Sequence, residues 1–148
     1  MRPLGTATIA LTLSACPKET SLVEHYADRV QVPNTSCVLA ELKSLAMDNA
    51  VQQIKDDIPL GTSHRFLFEV QDTLHSLIVL VRPDNSASIR HTAYAPNHIV
   101  SELQMAQSSI GKVEEALADR CGMALEPATE SCQGRHCDEF LGTQAARL

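Results

Sequence analysis

Residues 64–94 have the sequence HRFLFEV-QDT-LHSLIVLVR-PDNS-ASIRHTAY, which contains three runs with the patterns of β-strands. Apolar and polar side chains alternate in residues 64–70 and again in 87–94, whereas residues 74–82 are almost continuously apolar. The two short connecting segments carry residue types that favour tight turns. The stretch therefore predicts a three-stranded antiparallel meander with residues 74–82 as its central strand.

Helical patterns precede and follow the meander. A capping box predicts a short helix over 22–30, and an apolar stripe predicts a second helix over 38–55 with Ser36 as its cap. Apolar residues spaced alternately by four and three predict a last helix from about Asn97 to Gly122. The fold class is therefore α+β with the order α-α-β-β-β-α. Since the central strand is apolar on both sides, we expect a layer of helices on each face.

Near the start of the chain, Leu13-Ser14-Ala15-Cys16 closes a short apolar run that follows Arg2. This tetrapeptide resembles the lipobox of bacterial lipoproteins. The resemblance implies that residues 1–15 are a signal peptide, that Cys16 is lipidated, and that the chain is anchored on the periplasmic side of the cell envelope. The apolar run is too short to span a bilayer, which needs about 20 residues.

The remainder of the chain divides into three parts by pattern. Residues 16–20 form a lipidated tether, residues 21–125 form the α+β domain, and residues 126–148 form a polar tail that holds a disulfide loop. The length of 148 residues predicts one domain with one core.

Four cysteines remain once Cys16 is set aside: Cys37, Cys121, Cys132 and Cys137. An exported chain favours disulfides, so we expect two bridges, for which three pairings are possible. We favour Cys37 with Cys121 and Cys132 with Cys137, which requires the two long helices to cross or the second to be redirected. If those helices ran parallel, Cys37 and Cys121 would lie about 30 Å apart, too far for a bridge. Pairing of the tail with Cys37 is the alternative.

The composition narrows the possible partners. A net charge of −6 disfavours nucleic acid, which is itself a polyanion. The chain has no Trp and only three Phe and two Tyr residues, so stacking platforms for sugars or bases are hard to build.

Several common motifs for catalysis, phosphate binding and metal ligation are missing from the sequence. G-x-S-x-G, H-E-x-x-H and phosphate-loop patterns are absent, and the six histidines lack compact ligand spacing. We therefore expect no metal, no cofactor and no enzymatic activity, and we take acidic pairs such as Glu114-Glu115 as solvated charge. An envelope enzyme would require His75, His91 and a carboxylate to come within hydrogen-bond reach.

A binding surface on the meander is the remaining candidate site. We predict that the following side chains contact a protein partner: Arg65, His75, Arg90, His91 and Tyr94. In class and compartment the chain resembles immunity proteins and inhibitors that neutralise a toxin or cell-wall hydrolase in the periplasm. The alternative is an accessory subunit of an envelope secretion or pilus machine. An inhibitor should carry a polar, acidic patch or a protruding loop, whereas a constitutive subunit should expose a large apolar surface.

Overall fold

A computed structural model describes residues 21–96, 100–125 and 129–145. In chain order the elements are β1 (Ser21–Gln31), α1 (Thr35–Leu45), a 3-10 turn (Met47–Asn49), β2 (Val51–Ile58), β3 (Gly61–Val70), β4 (Thr73–Val81), β5 (Ser86–Ala95), α2 (Val100–Cys121), β6 (Thr129–Gln133) and α3 (Cys137–Ala145). The predicted signal peptide, the tether and the predicted start of the last helix at Asn97 lie outside the described residues. None of the described helices is long and apolar enough to cross a membrane.

The strands form one antiparallel sheet in the order β2-β3-β4-β5-β1-β6. The predicted meander is confirmed as β3-β4-β5, with β4 between its two neighbours, and the α+β class is confirmed. Three strands were too few, because β1, β2 and β6 extend the sheet to six. β6 and α3 lie within the segment predicted as a polar tail, so this segment belongs to the fold.

The helix predicted over 22–30 is wrong, because these residues belong to β1. Leu22, Tyr26 and Val30 recur every four residues, which fits a helix, but a spacing of four also places Leu22 and Tyr26 on one face of a strand. The apolar residues that β1 buries most deeply are Val23 and Ala27, which share the opposite face. The spacing alone could not distinguish the two structures.

The helix predicted over 38–55 is too long. α1 ends at Leu45, and Asp48 and Asn49 then adopt left-handed conformations with φ of 55° and 53°, which asparagine and aspartate tolerate better than most residues. The chain continues as β2. The cap is Asn34 rather than Ser36, because the Asn34 Oδ1 accepts hydrogen bonds from the backbone N–H groups of Ser36 and Cys37 at 3.0 and 3.1 Å.

The helices all pack against one face of the sheet, which corrects the expectation of a layer on each face. We call this the covered face; its strands contribute Phe66, Leu77, Val79 and Ile89 to a core with residues of α1 and α2. Phe140 of α3 packs beside Val23 and Ala93 on the same face. No described helix covers the opposite, open face, which carries Tyr26, Arg65, Ile78 and Arg90.

Two disulfides close the fold in the favoured pairing. Cys37 in the first turn of α1 bridges to Cys121 at the end of α2, with their Cα atoms 5.7 Å apart. Cys132 of β6 bridges to Cys137 at the start of α3. The first bridge joins the two helices that cover the core, and the second closes the corner that leads from the edge strand into α3.

Candidate functional site

The structure divides the five predicted partner-binding residues between the two faces. Arg65, Arg90 and Tyr94 lie on the open face. His75 and His91 lie on the covered face with 0% of their surface exposed, so in this fold they contact no partner at the surface. Strand alternation explains the division, because on β4 and β5 the odd-numbered residues point towards the helices.

The middle of the open face is a row of side chains across four adjacent strands. Strand register places Arg65 opposite Ile78, Ile78 opposite Arg90, and Arg90 opposite Tyr26. The Arg90 guanidinium lies 5.9 Å from the centre of the Tyr26 ring, and its Nε lies 3.7 Å from Glu24 Oε2. Arg65 is exposed, and in the part of the chain that the structure describes its side chain has no ion-pair or hydrogen-bond partner.

A groove of about 320 Å³ runs beside this row. It is lined by Tyr26, Ile58, Ser63, Ile78, Leu80, Arg82, Ser88 and Arg90. The lining combines an apolar floor with two arginines and contains no carboxylate, although Arg82 is paired to Asp28 just outside it at 3.0 Å. Arg90 is likewise paired to Glu24, so each arginine of the groove has a carboxylate beside it.

The β2–β3 hairpin ends in an exposed acidic and apolar tip. Leu60 at the turn is 68% exposed, and Asp56 and Asp57 precede it on the exposed edge strand. Thr62 Oγ1 donates to Asp57 Oδ1 at 2.9 Å, which ties the two sides of the turn together. Gly61 has φ of +143°, and a Cβ there would lie 2.1 Å from the Val81 carbonyl oxygen, so the turn requires glycine.

The covered face contains a buried polar network that sequence analysis did not predict. His75 Nδ1 lies 3.0 Å from His91 Nε2, and His75 Nε2 lies 2.7 Å from the hydroxyl of Ser109 on α2. His91 Nδ1 donates to Glu114 Oε1 at 3.2 Å. Phe68 stacks on the His75 ring with centroids 5.1 Å apart. β4, β5 and α2 are therefore joined by hydrogen bonds inside the core.

The network continues from Glu114 to the surface. His25 on β1, which is paired with His91 by strand register, donates from Nδ1 to Glu114 at 3.0 Å. Its Nε2 lies 2.6 Å from Glu130 Oε2 on β6. Gln107 Nε2 donates to the other oxygen of Glu130 at 2.9 Å. Every ring nitrogen of the three histidines thus has a partner, as buried polar groups require.

The surroundings shift the pKa values in opposite directions along the network. Burial, followed by the neighbouring His91, lowers the pKa of His75 to about 3. Burial lowers the pKa of His91, against the opposing effect of Glu114. The hydrogen bond to Glu114 raises the pKa of His25 despite partial burial. Burial raises the pKa of Glu114, but hydrogen bonds from His25 and His91 outweigh it and hold that pKa low.

His91 therefore lies within hydrogen-bond reach of both His75 and the Glu114 carboxylate, as an enzyme would require. Burial restricts the access of solvent to these groups. The two imidazoles and Ser109 are fully buried. Only the outer pair reaches solvent, since the side chains of His25 and Glu114 are 15% and 17% exposed. They lie in a groove of about 430 Å³ with Glu115, Ala118, Met123, Ala124 and Leu125. Glu114 is thus not the solvated charge expected.

Sequence analysis missed His25 because β1 was assigned to a helix, and it missed Ser109 and Glu114 because α2 is distant in sequence from the strands that it contacts. With β1 as a strand, His25 falls beside His91, and this pair would have indicated the network. Across the described ranges 21–96, 100–125 and 129–145, no group of three or more His, Cys, Asp or Glu side chains is arranged to hold a metal ion. Comparison with protein-family models and with characterised proteins gives no match to this sequence.

Proposed function

We propose that this protein is anchored through Cys16 on the periplasmic side of the cell envelope, binds another protein through its open face, and neutralises a toxin or cell-wall hydrolase. The observation that supports this proposal most strongly is the arginine-lined groove on a sheet face that no described helix covers. Three of the predicted contact residues, Arg65, Arg90 and Tyr94, lie on that face.

The chemistry of the open face favours a protein partner over nucleic acid. Arginine, tyrosine and partly exposed aliphatic side chains are the residue types that form the centres of protein interfaces. Carboxylates of Glu24 and Asp28 lie beside Arg90 and Arg82, which would repel a phosphate backbone. The groove therefore suits an apolar segment of a protein partner better than a polyanion.

The distribution of apolar surface favours an inhibitor over a constitutive subunit. Among the described residues, the exposed large apolar side chains are spread over different elements of the fold: Val32, Met47, Ile58, Leu60, Leu74, Met105 and Leu141. The hairpin tip around Leu60, with Asp56 and Asp57 beside it, is exposed and acidic, which fits the polar, acidic patch expected of an inhibitor. The alternative remains an accessory subunit of an envelope secretion or pilus machine.

Affinity capture with the full chain tests the proposal. Wild type, an open-face double variant with Arg65→Glu and Arg90→Glu, and a control with Arg120→Glu serve as baits for envelope and secreted proteins; Arg120 is a highly exposed arginine of α2. The proposal predicts that wild type and control capture one toxin or hydrolase at stoichiometric level and inhibit it, whereas the double variant does neither. Capture of a set of machine subunits would favour the accessory role instead.

The membrane anchor has a separate test. Replacing Cys16→Ser removes the thiol that lipidation requires, so we expect the protein to move from the membrane fraction to the soluble periplasmic fraction. Cys132→Ser with Cys137→Ser is the control, because it removes two other cysteines, those of the second disulfide, and should leave the protein in the membrane fraction. Retention of the Cys16 variant in the membrane fraction would contradict the anchor.

A second candidate function is an enzyme that uses the groove at His25 and Glu114. The specific observation is that this solvent-reaching pair continues a chain of buried histidines, an arrangement that suits proton transfer. It ranks second because carboxylates already engage both ring nitrogens of His25. Turnover of cell-wall or ester substrates by wild type and its loss in Glu114→Gln would support the enzyme.

A further inference from the structure

The direction of each buried hydrogen bond of His75 and His91 follows from which groups can donate and which can accept. Glu114 is ionised and only accepts, so His91 donates to it from Nδ1. If His91 is neutral, its Nε2 accepts the Nδ1 proton of His75. His75 Nε2 then accepts from the Ser109 hydroxyl. In this arrangement every donor points towards Glu114.

The same atoms accommodate one additional proton if the His75–His91 and His75–Ser109 hydrogen bonds reverse their direction. With His91 protonated on both nitrogens, its Nε2 donates to His75 Nδ1, and His75 carries its own proton on Nε2 and donates to Ser109 Oγ. The Ser109 hydroxyl then turns to the Val70 carbonyl oxygen, 3.4 Å away. The net change is one proton taken from solvent, and each donor still has an acceptor.

The pair cannot bind a second proton in this way, because the Nδ1–H of His75 and the Nε2–H of His91 would then face each other. We propose that the His75–His91 pair is a binding site for a single proton, and that filling it moves the Ser109 hydroxyl from His75 to the backbone of β3. This inference does not depend on the proposed partner or anchor.

The residues around the His75–His91 pair are consistent with a site that binds one proton. Among the described residues, His75 is faced by Phe68 of β3, Ser109 of α2 and His91 of β5, and none of these is a carboxylate. His91 is faced by Glu114 of α2 and by His25 of β1, which Glu130 of β6 holds in turn. The carboxylate therefore stabilises a proton on His91 and not on His75, whose pKa is near 3.

The movement of Ser109 affects the turn between β3 and β4. Val70 directly precedes Gln71 and Asp72, which both adopt left-handed conformations with φ of 52° and 59°. Lys112, one helical turn after Ser109, donates to Gln71 Oε1 at 3.1 Å. α2 thus holds this turn through Lys112 in both states, and proton uptake adds the hydrogen bond from Ser109 to Val70.

Nitrogen-15 NMR of the histidine side chains in the full chain tests the proposal. At pH 7.5 we expect His75 and His91 both as Nδ1–H tautomers. On acidification, His91 should become doubly protonated while His75 changes to the Nε2–H tautomer at the same midpoint, with one proton taken up. A fixed His75 tautomer, independent protonation of both rings, or unfolding before His91 titrates would each overturn the proposal.

A pair of variants separates proton binding from a merely structural role. Glu114→Gln keeps the shape and a hydrogen-bond acceptor but removes the charge, so the His91 midpoint should move to lower pH by at least one unit. Glu115→Gln, the adjacent and exposed residue of α2, should leave that midpoint unchanged. An unchanged midpoint in Glu114→Gln would contradict the proposed site.

Discussion

The two faces of the sheet are built from alternate residues of the same strands, yet they differ in almost every physical respect. On β4, Leu77 is fully buried under the helices, whereas its neighbour Ile78 is only half-buried on the open face. The covered face encloses a buried histidine pair, and the open face displays arginines beside apolar groups. The difference teaches that the continuous apolar run of β4 serves two purposes: one side stabilises the core, and the other remains for contact.

The largest expected effect concerns the bridge between the helices of the covered face. Cys37 and Cys121 are separated by 84 residues, so replacing both with Ser should lower the free energy of unfolding by about 4.5 kcal/mol through loop entropy. Removing the Cys132–Cys137 bridge, with a separation of 5, should cost only about 2 kcal/mol. Urea denaturation of both variants measures the difference, and equal losses would contradict the account.

Neighbouring substitutions on β4 compare the faces directly. Leu77→Ala empties a site in the covered core and should cost about 3 kcal/mol of unfolding free energy. Ile78→Ala removes a half-exposed side chain and should cost about 1 kcal/mol. Denaturant midpoints at constant pH give both values. If Ile78→Ala destabilised the chain as much as Leu77→Ala, the open face would be part of the core.

Acidification should lower the free energy of unfolding through the buried His75 of the covered face. The folded state depresses the pKa of His75 from 6.5 to about 3, so His75 contributes stability above pH 6.5 that is lost as the pH falls through this range. One such histidine corresponds to about 1.4 kcal/mol per pH unit. Urea unfolding between pH 7 and pH 5 should show a loss of stability that steepens towards this slope at the acidic end. His75→Phe should reduce it, whereas a variant of exposed His136 should retain it.

The smallest stability effect should come from the open face. Arg65 is exposed and makes no ion pair with the described residues, so Arg65→Glu should change the unfolding free energy by less than about 0.5 kcal/mol. Thermal or urea denaturation checks this value. A large loss of unfolding free energy would show that Arg65 stabilises the fold, and would contradict its assignment as a partner-contact residue.

Patterns of period two and short turns made the meander predictable from the sequence. Residues 64–94 form strands close to where alternation placed them, and both disulfides follow the favoured pairing. The errors arose where a pattern fits two structures. The spacing of Leu22 and Tyr26 satisfies both a helix and a strand, and only pairing with β5 decides between them.

The candidate site was predictable only in part, for a related reason. Arg65, Arg90 and Tyr94 could be placed on the sheet because local alternation determines the face of each side chain. The polar network could not be predicted, since it joins β1, β4, β5 and α2 through residues that are distant in sequence. Glu114 resembles a solvated charge in the sequence and becomes half-buried only when α2 packs over His25 and His91.

Side-chain oxidation of the full chain, with and without the captured partner, tests the central claim most directly. The two tyrosines of the chain, Tyr26 and Tyr94, both lie on the open face, and Met105 is an exposed residue of α2 on the helical side. The account predicts that the partner slows oxidation of both tyrosines severalfold and leaves Met105 unchanged. Protection of Met105 with unchanged tyrosines would show that the partner binds the helices and would contradict the account.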